Sequence, residues 1–213
     1  MKKFIFSFLL LTLPFCTFTM LKFKKGFKLI KFNLIKMQLY KKLLYGEFMK
    51  KEKVLFSACL VGTKCRYNGS DAFNKKTLEV LSKSEIISVC PELLAGEPIP
   101  RPACNIQSAF PQAQNTRDQD LSKQNFDGHD VIKGKAKIIG DDGKDYTENY
   151  LKGAHKALEI ALKNNIKKAY LKSKSPTCGY GKIFDEKGKN LKIGNGIFAA
   201  LLLEHGIEVI SLD

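Results

Sequence analysis

Three cysteines each lie where a predicted β-strand runs into a turn. Cys59, Cys90 and Cys178 belong to the segments LFSACLVG, ISVCPELLAG and KSKSPTCGYG. Strands of an α/β protein usually present their chemistry at the carboxyl edge of the sheet, so we expect the three thiols to converge there. Three protein ligands leave a metal centre one open position. Such an open position distinguishes a catalytic centre from a closed structural one.

Three polar residues accompany these thiols. Glu92 follows Cys90 by two positions, and a carboxylate near anionic sulfur is expected to have the raised pKa that proton transfer near neutral pH requires. It could equally cap the following turn. Arg101, between two prolines, could hold an anion or a carbonyl oxygen, or be a solvated loop charge. Ser175 offers a hydroxyl on the loop of Cys178, although Ser-x-x-Cys also fits a phosphate-binding loop.

The remaining motif cysteines leave the type of centre open. Cys65 lies six residues after Cys59, a spacing that fits neither a zinc knuckle nor a thioredoxin motif. Either Cys65 or Cys104 could be a fourth ligand of a closed centre, and each thiol could instead be a small buried hydrophobe. Six cysteines in 213 residues are too few for a disulfide scaffold. Clustered thiols favour metal binding or catalysis in a reducing compartment, and we expect a cytoplasmic protein.

Strand and helix patterns alternate along most of the chain. Apolar runs predict strands near residues 54–59, 85–90, 166–173 and 207–212, and helical spacing predicts helices near residues 74–82, 147–164 and 195–205. Asn74 and Thr147 are the expected N-caps of the first two helices. This order predicts a single α/β domain with a mostly parallel central sheet flanked by helices.

The middle of the chain has weaker patterns. Residues 107–129 are rich in Gln, Asn and Asp and predict a long polar excursion. Residues 131–139 alternate weakly between apolar and polar, as a strand does, and a hairpin-type turn at Asp141-Asp142-Gly143 follows.

The first 48 residues differ in composition from the rest. Of the formal net charge of +15, residues 1–48 carry +9 and residues 49–213 carry +6. A charge of +6 permits a nucleic-acid partner without favouring one. The apolar run at residues 4–13 is too short to span a bilayer. We expect translation to begin at Met49, with residues 49–213 forming the domain; a signal or anchor and a basic tail are the alternatives.

Five segments together resemble a bacterial family of a domain of unknown function that includes thiouracil desulfidase. The resemblance covers residues 54–210, and the segments are SACLVGTKCRYNG, VCPELLAGEPIPRPAC, VIKGKAKIIGDDGKDYTENYLKGA, LKSKSPTCGYGKIFD and GNGIFAALLLEHGIEVI. The resemblance implies a 4Fe-4S cluster held by three cysteines, with one open iron. We assign the ligands to Cys59, Cys90 and Cys178.

Four other residues have expected roles at the site. The resemblance suggests Glu92 and Ser175 as acid/base and positioning groups, and we expect Arg101 and Asn68 to bind the substrate. The family commonly has Asp where this chain has Asn68. Some relatives carry a second domain associated with thiolated transfer RNA, whereas this chain ends at Asp213. The expected substrate is therefore a small thiolated molecule.

These inferences predict a non-redox desulfidase. It would remove sulfur from a thiolated nucleobase, or a related thiocarbonyl compound, by hydrolysis. One alternative is an iron–sulfur or zinc protein that binds or senses without turnover. Another is a sulfur carrier, and a third is a plain cysteine enzyme.

Overall fold

The computed structural model describes residues 51–110 and 125–212. Residues 1–48 lie outside the described residues, as does much of the predicted polar excursion. Eight strands and five helices succeed one another in the described ranges. In chain order they are β1 (Glu52–Ser57), α1 (Lys75–Leu81), β2 (Ser84–Val89), α2 (Pro91–Leu94), β3 (Cys104–Ser108), α3 (Gly128–Ile132), β4 (Ala136–Gly140), α4 (Thr147–Lys163), β5 (Lys168–Leu171), β6 (Lys182–Phe184), β7 (Leu191–Ile193), α5 (Ile197–Glu204) and β8 (Glu208–Ser211).

A parallel four-stranded sheet organises these elements. Its strand order is β2-β1-β5-β8, and each neighbouring pair is parallel. In the register, Leu55 of β1 lies opposite Ile87 of β2 and Ala169 of β5. The carboxyl ends of β1, β2 and β5 therefore open onto the same edge. The predicted α/β fold with a parallel central sheet is confirmed.

Both faces of the sheet are covered. Val54, Leu55 and Phe56 are almost fully buried, which explains why β1 is a continuous apolar run rather than an alternating one. Leu55 belongs to the larger core, together with the buried faces of α4 and α5. Val54 and Phe56 belong to a smaller cluster on the opposite face, against which Val80 of α1 packs.

Of the two predicted helix N-caps, one is confirmed and one is wrong. The Asn74 side chain accepts a hydrogen bond from the Thr77 amide, so Asn74 is the N-cap that the sequence predicts. Thr147 instead occupies the first position of α4, after an N-cap at Tyr146. Its hydroxyl accepts from the Ile138 amide, 2.9 Å away, and its amide donates to Asp145, also at 2.9 Å. The prediction of Thr147 as the N-cap is wrong because its hydroxyl binds β4.

The middle of the chain differs from its prediction. The weakly alternating region begins inside α3, which Asp127 and Asp130 start with a reciprocal capping box. Only Ala136–Gly140 forms a strand there, and it pairs antiparallel with β3, which the sequence did not predict. The antiparallel pair β6–β7 was not predicted either. Within residues 51–110 and 125–212, no helix is long and apolar enough to cross a membrane.

Candidate active site

A cavity of about 550 Å³ opens at the carboxyl edge of the parallel sheet. Its walls come from the turns after β1 and β2, the long loop after β5, and the segment leading into β3. Four cysteines and two of the predicted polar residues line it: Cys59, Cys65, Cys90, Cys178, Glu92 and Ser175. Cys104 and Tyr150 line it as well.

The strand ends determine where the three predicted cysteines lie. Cys59 is in a 3-10 turn, Ala58–Val61, that follows β1 directly. Cys90 follows β2 and is the N-cap residue of α2. Cys178 lies in the loop between β5 and β6. The structure thus brings these residues, predicted from the ends of strands, to one cavity.

Cys65 lies between two of these cysteines. It packs with Cys59 and Cys90 in one small cluster, and the Cys90 thiol lies 4.0 Å from the backbone carbonyl oxygen of Cys65. A hydrogen bond with Cys59, together with burial, raises the pKa of Cys65 to about 11. A bond with Cys65, together with burial, raises the pKa of Cys90, and burial raises the pKa of Cys178. These thiols are neutral near pH 7, so a soft metal centre would displace their protons on binding.

Both carboxylate oxygens of Glu92 have protein partners. Oε1 accepts a hydrogen bond from the Thr177 hydroxyl at 2.9 Å, and Oε2 accepts from Arg101 Nη2 in an ion pair. The Glu92 side chain is 15% exposed and lines the cavity, so the carboxylate can reach a bound molecule. It binds a neighbouring loop and a buried cation rather than capping the turn that contains it.

Ser175 supports the loop that carries Cys178. Its hydroxyl oxygen accepts from the backbone amides of Thr177 at 3.1 Å and Cys178 at 3.2 Å. With its oxygen bonded to the loop, the hydroxyl hydrogen is the group that Ser175 can offer to the cavity.

The family follows from comparison with known proteins. A family model described as 2-thiouracil desulfurase matches residues 54–213. The chain belongs to this family. Protein YbbK of Bacillus subtilis (strain 168), which is uncharacterised, is 38% identical to the chain over 159 residues, covering 74% of the chain and 94% of YbbK.

One solved structure of similar fold is that of the 4Fe-4S-dependent thiouracil desulfidase TudS. TudS is 29% identical in sequence to this chain, and the two structures superpose with a TM-score of 0.57. The match covers 76% of the chain and 91% of TudS. The family that the sequence motifs indicated is therefore confirmed, and the α/β architecture agrees with that of a solved relative.

The donors at the site fit the kind of cofactor that TudS uses. Thiolates are the usual protein ligands of iron–sulfur clusters. Cys59, Cys90 and Cys178 come from three different segments around one cavity. Within the described ranges, no group of three or more His, Cys, Asp and Glu side chains is arranged to hold a single metal ion.

Two predicted substrate-binding residues lie elsewhere. Arg101 is 6% exposed and is not part of the cavity lining, because its guanidinium turns inward to Glu92 and to backbone carbonyls. Asn68 is also absent from the lining. Its Oδ1 accepts from the amide and hydroxyl of Ser70, which fixes the local turn. In this structure the side chains of both residues bond to neighbouring parts of the protein.

Sequence reasoning missed two groups at the site. Thr177 is fully buried and binds Glu92, although these residues are distant in the chain. Its position beside Cys178 was the available signal. The Tyr150 hydroxyl donates to Cys104 Sγ at 3.4 Å. Burial raises the pKa of Cys104 to about 11 and also raises the pKa of Tyr150, so both groups stay neutral.

Proposed function

We propose that this chain is a 4Fe-4S-dependent desulfidase that hydrolyses a small thiolated nucleobase or a related thiocarbonyl compound. The observation that carries the proposal is the convergence of Cys59, Cys90 and Cys178 on one cavity with Glu92. Membership of the 2-thiouracil desulfurase family and the likeness to TudS support the choice of reaction.

Cys59, Cys90 and Cys178 would hold the cluster. When bound, it supplies Lewis-acid chemistry toward the substrate's sulfur, because three protein ligands leave one iron open. The overall reaction converts a C=S group and water into a C=O group and hydrogen sulfide. No electrons are exchanged with an outside donor or acceptor, so the reaction is balanced without a redox partner.

Glu92 is the residue placed to move protons. Its carboxylate would accept a proton from the attacking water and return a proton to the ring nitrogen or the departing sulfur. Arg101 and Thr177 each donate to one oxygen of that carboxylate and so fix its orientation. Ser175 would donate its hydroxyl hydrogen to the substrate, since the loop amides already occupy its oxygen.

The test uses the full chain, loaded with iron and sulfide in the absence of oxygen and supplied with 2-thiouracil. The expected result is about four irons per chain with release of uracil and sulfide. Cys178→Ala should lose the cluster. Glu92→Gln, which keeps an oxygen acceptor for Thr177, should lose turnover per loaded cluster. A fully loaded Cys178→Ala protein, or a Glu92→Gln protein of normal activity, contradicts the assignment.

The position of Cys65 in the cavity, packed with Cys59 and Cys90, favours one second candidate, a protein whose centre is closed by four thiols and which binds or senses without turnover. Such a centre would need Cys65 as its fourth ligand. Cys65→Ala separates the two functions: the desulfidase retains its iron, because Cys65 is not a ligand, whereas the closed centre loses it. Sulfide release by the unaltered protein further separates them.

A further inference from the structure

The buried side chain of Arg101 forms hydrogen bonds with three residues at or near the active site: Cys65, Glu92 and Pro98. Its Nη2 donates to the backbone carbonyl of Cys65 at 2.8 Å and to the carboxylate of Glu92. Its Nη1 donates to the carbonyl of Pro98 at 3.3 Å. The Arg101 side chain is only 1% exposed. One buried cation thus contacts both the loop that follows β1 and the segment that follows β2.

The network continues to the third cysteine through Glu92. The second carboxylate oxygen of Glu92 accepts from Thr177, the residue directly before Cys178. The path therefore runs from the carbonyl of Cys65 through Arg101, Glu92 and Thr177 to the loop of Cys178. All three cysteine-bearing segments are joined by it, although they are far apart in the sequence.

The position of the guanidinium is determined by the hydrogen bonds of its two outer nitrogens, Nη1 and Nη2. Arg101 Nε is the buried side-chain nitrogen or oxygen without a hydrogen-bond partner in the described part of the chain. An unsatisfied buried donor carries a cost. This donor is left unsatisfied while the outer nitrogens reach Glu92 and two carbonyls. Lysine has a single ammonium point and cannot reproduce this fork.

We propose that Arg101 is a positioning residue that holds the three cysteine-bearing segments and the Glu92 carboxylate in the arrangement that cluster loading and turnover require. This inference rests on the proposed function. It replaces the role in substrate binding that the sequence suggested for Arg101. The anion and the carbonyl oxygens that Arg101 holds belong to the protein itself.

The test compares Arg101→Lys with Lys156→Gln in the full chain. Lys156 is a matched control because its exposed ammonium also donates to a backbone carbonyl near the site, that of Leu94 at 2.9 Å. Three quantities are measured: the thermal midpoint of the metal-free chain, the iron and sulfide content after anaerobic loading, and kcat and KM for 2-thiouracil per loaded cluster. Lys156→Gln should match the unaltered protein in the last two.

For Arg101→Lys we expect a folded chain with slower and less complete cluster loading. Its kcat per loaded cluster should fall about tenfold or more, with KM changed by less than about threefold, because the misplaced Glu92 affects turnover rather than substrate binding. A purely structural role would lower stability and leave kcat per cluster unchanged. Normal loading together with kcat within about twofold of the unaltered protein overturns the proposal.

A second variant keeps the test informative if Arg101→Lys fails to fold. Thr177→Val removes the far end of the network while preserving side-chain volume, and should also reduce kcat per loaded cluster. Normal kcat in Thr177→Val overturns the proposed network. If the unaltered protein loads a cluster but releases no sulfide from 2-thiouracil, the proposed function fails instead. The loading measurement on Arg101→Lys then still decides the positioning role.

Discussion

Gly153→Ala should displace the segment that carries Cys90 and Glu92 and thereby lower activity. Gly153 lies inside α4, where α4 packs directly on α2. A Cβ at this position would lie 2.0 Å from the carbonyl oxygen of Pro91 and 2.8 Å from the Cβ of Ala95. Pro91 is the residue between Cys90 and Glu92. A methyl group at position 153 therefore acts directly on the segment that carries a proposed ligand and the proposed base.

Two opposing terms determine the magnitude. Alanine is favoured over glycine within a helix by about 1 kcal/mol. Carbon and oxygen atoms need more than 3 Å, so α2 and α4 must separate by roughly 1 Å. Overpacking of this kind typically costs about 1–3 kcal/mol. We expect the net free energy of unfolding to fall by up to about 2 kcal/mol, with the clash outweighing helix propensity.

The functional loss should exceed the loss of stability. A shift of roughly 1 Å at a catalytic group can cost about a hundredfold in rate. Urea unfolding of the metal-free chain, iron content and kcat per loaded cluster measure the two effects. Lys152→Ala is the control because Lys152 is an exposed neighbour in the same helix. Alanine there has its high helix propensity and causes no clash. A Gly153→Ala chain that is more stable than the unaltered protein, with full turnover, would refute the reasoning.

Three further outcomes follow from single contacts. Cys104→Ala should retain full iron content after anaerobic loading, because Cys104 bonds to Tyr150 and not to the other cysteines; loss of iron would make it a ligand. Asp145→Ala should lower the unfolding free energy at pH 7 by about 1 kcal/mol, through loss of the acceptor for the Thr147 amide. Burial works to raise the pKa of Asp145, but bonds from Thr147 and a nearby lysine lower it overall. That stabilisation is present above the ordinary Asp pKa and is lost as the pH falls through the lowered value, so the two chains should converge in urea titrations at acid pH. Phe198→Ala should cost about 3–5 kcal/mol in the same titration, since Phe198 is fully buried, and a smaller loss would mean that the core relaxes into the space.

The sequence predicts the parallel sheet and its edge well, for a physical reason. Strands buried on both faces are continuous apolar runs, and the glycine and proline turns that follow them mark where each strand ends. Those two facts place Cys59 and Cys90 at the carboxyl edge of the sheet. The antiparallel strand β3 escaped prediction because its sequence, CNIQS, is not a continuous apolar run. The helical start at Asp127 also interrupts the alternation before β4.

The orientation of Arg101 could not be predicted from local signals. Its flanking prolines constrain the backbone and do not indicate whether the side chain turns toward the cavity or the core. The choice depends on Glu92 and on the carbonyl of Cys65, which reach Arg101 only after β1 and β2 have paired. Thr177 presents the same difficulty, since its partner Glu92 is contributed by another strand end.

The strand order also limits when the proposed cluster could be inserted. β1 lies between β2 and β5, so the strand that leads to Cys178 is added to the sheet from the distant carboxyl-terminal part of the chain. A nascent chain emerging from the ribosome exposes Cys59 and Cys90 first, as an incomplete pair of thiols, for several seconds of synthesis. Delivery of the proposed cluster would then be a post-translational event, and oxidants would compete for the early thiols until β5 docks. Slower synthesis between Cys90 and Cys178 should lengthen that interval of vulnerability.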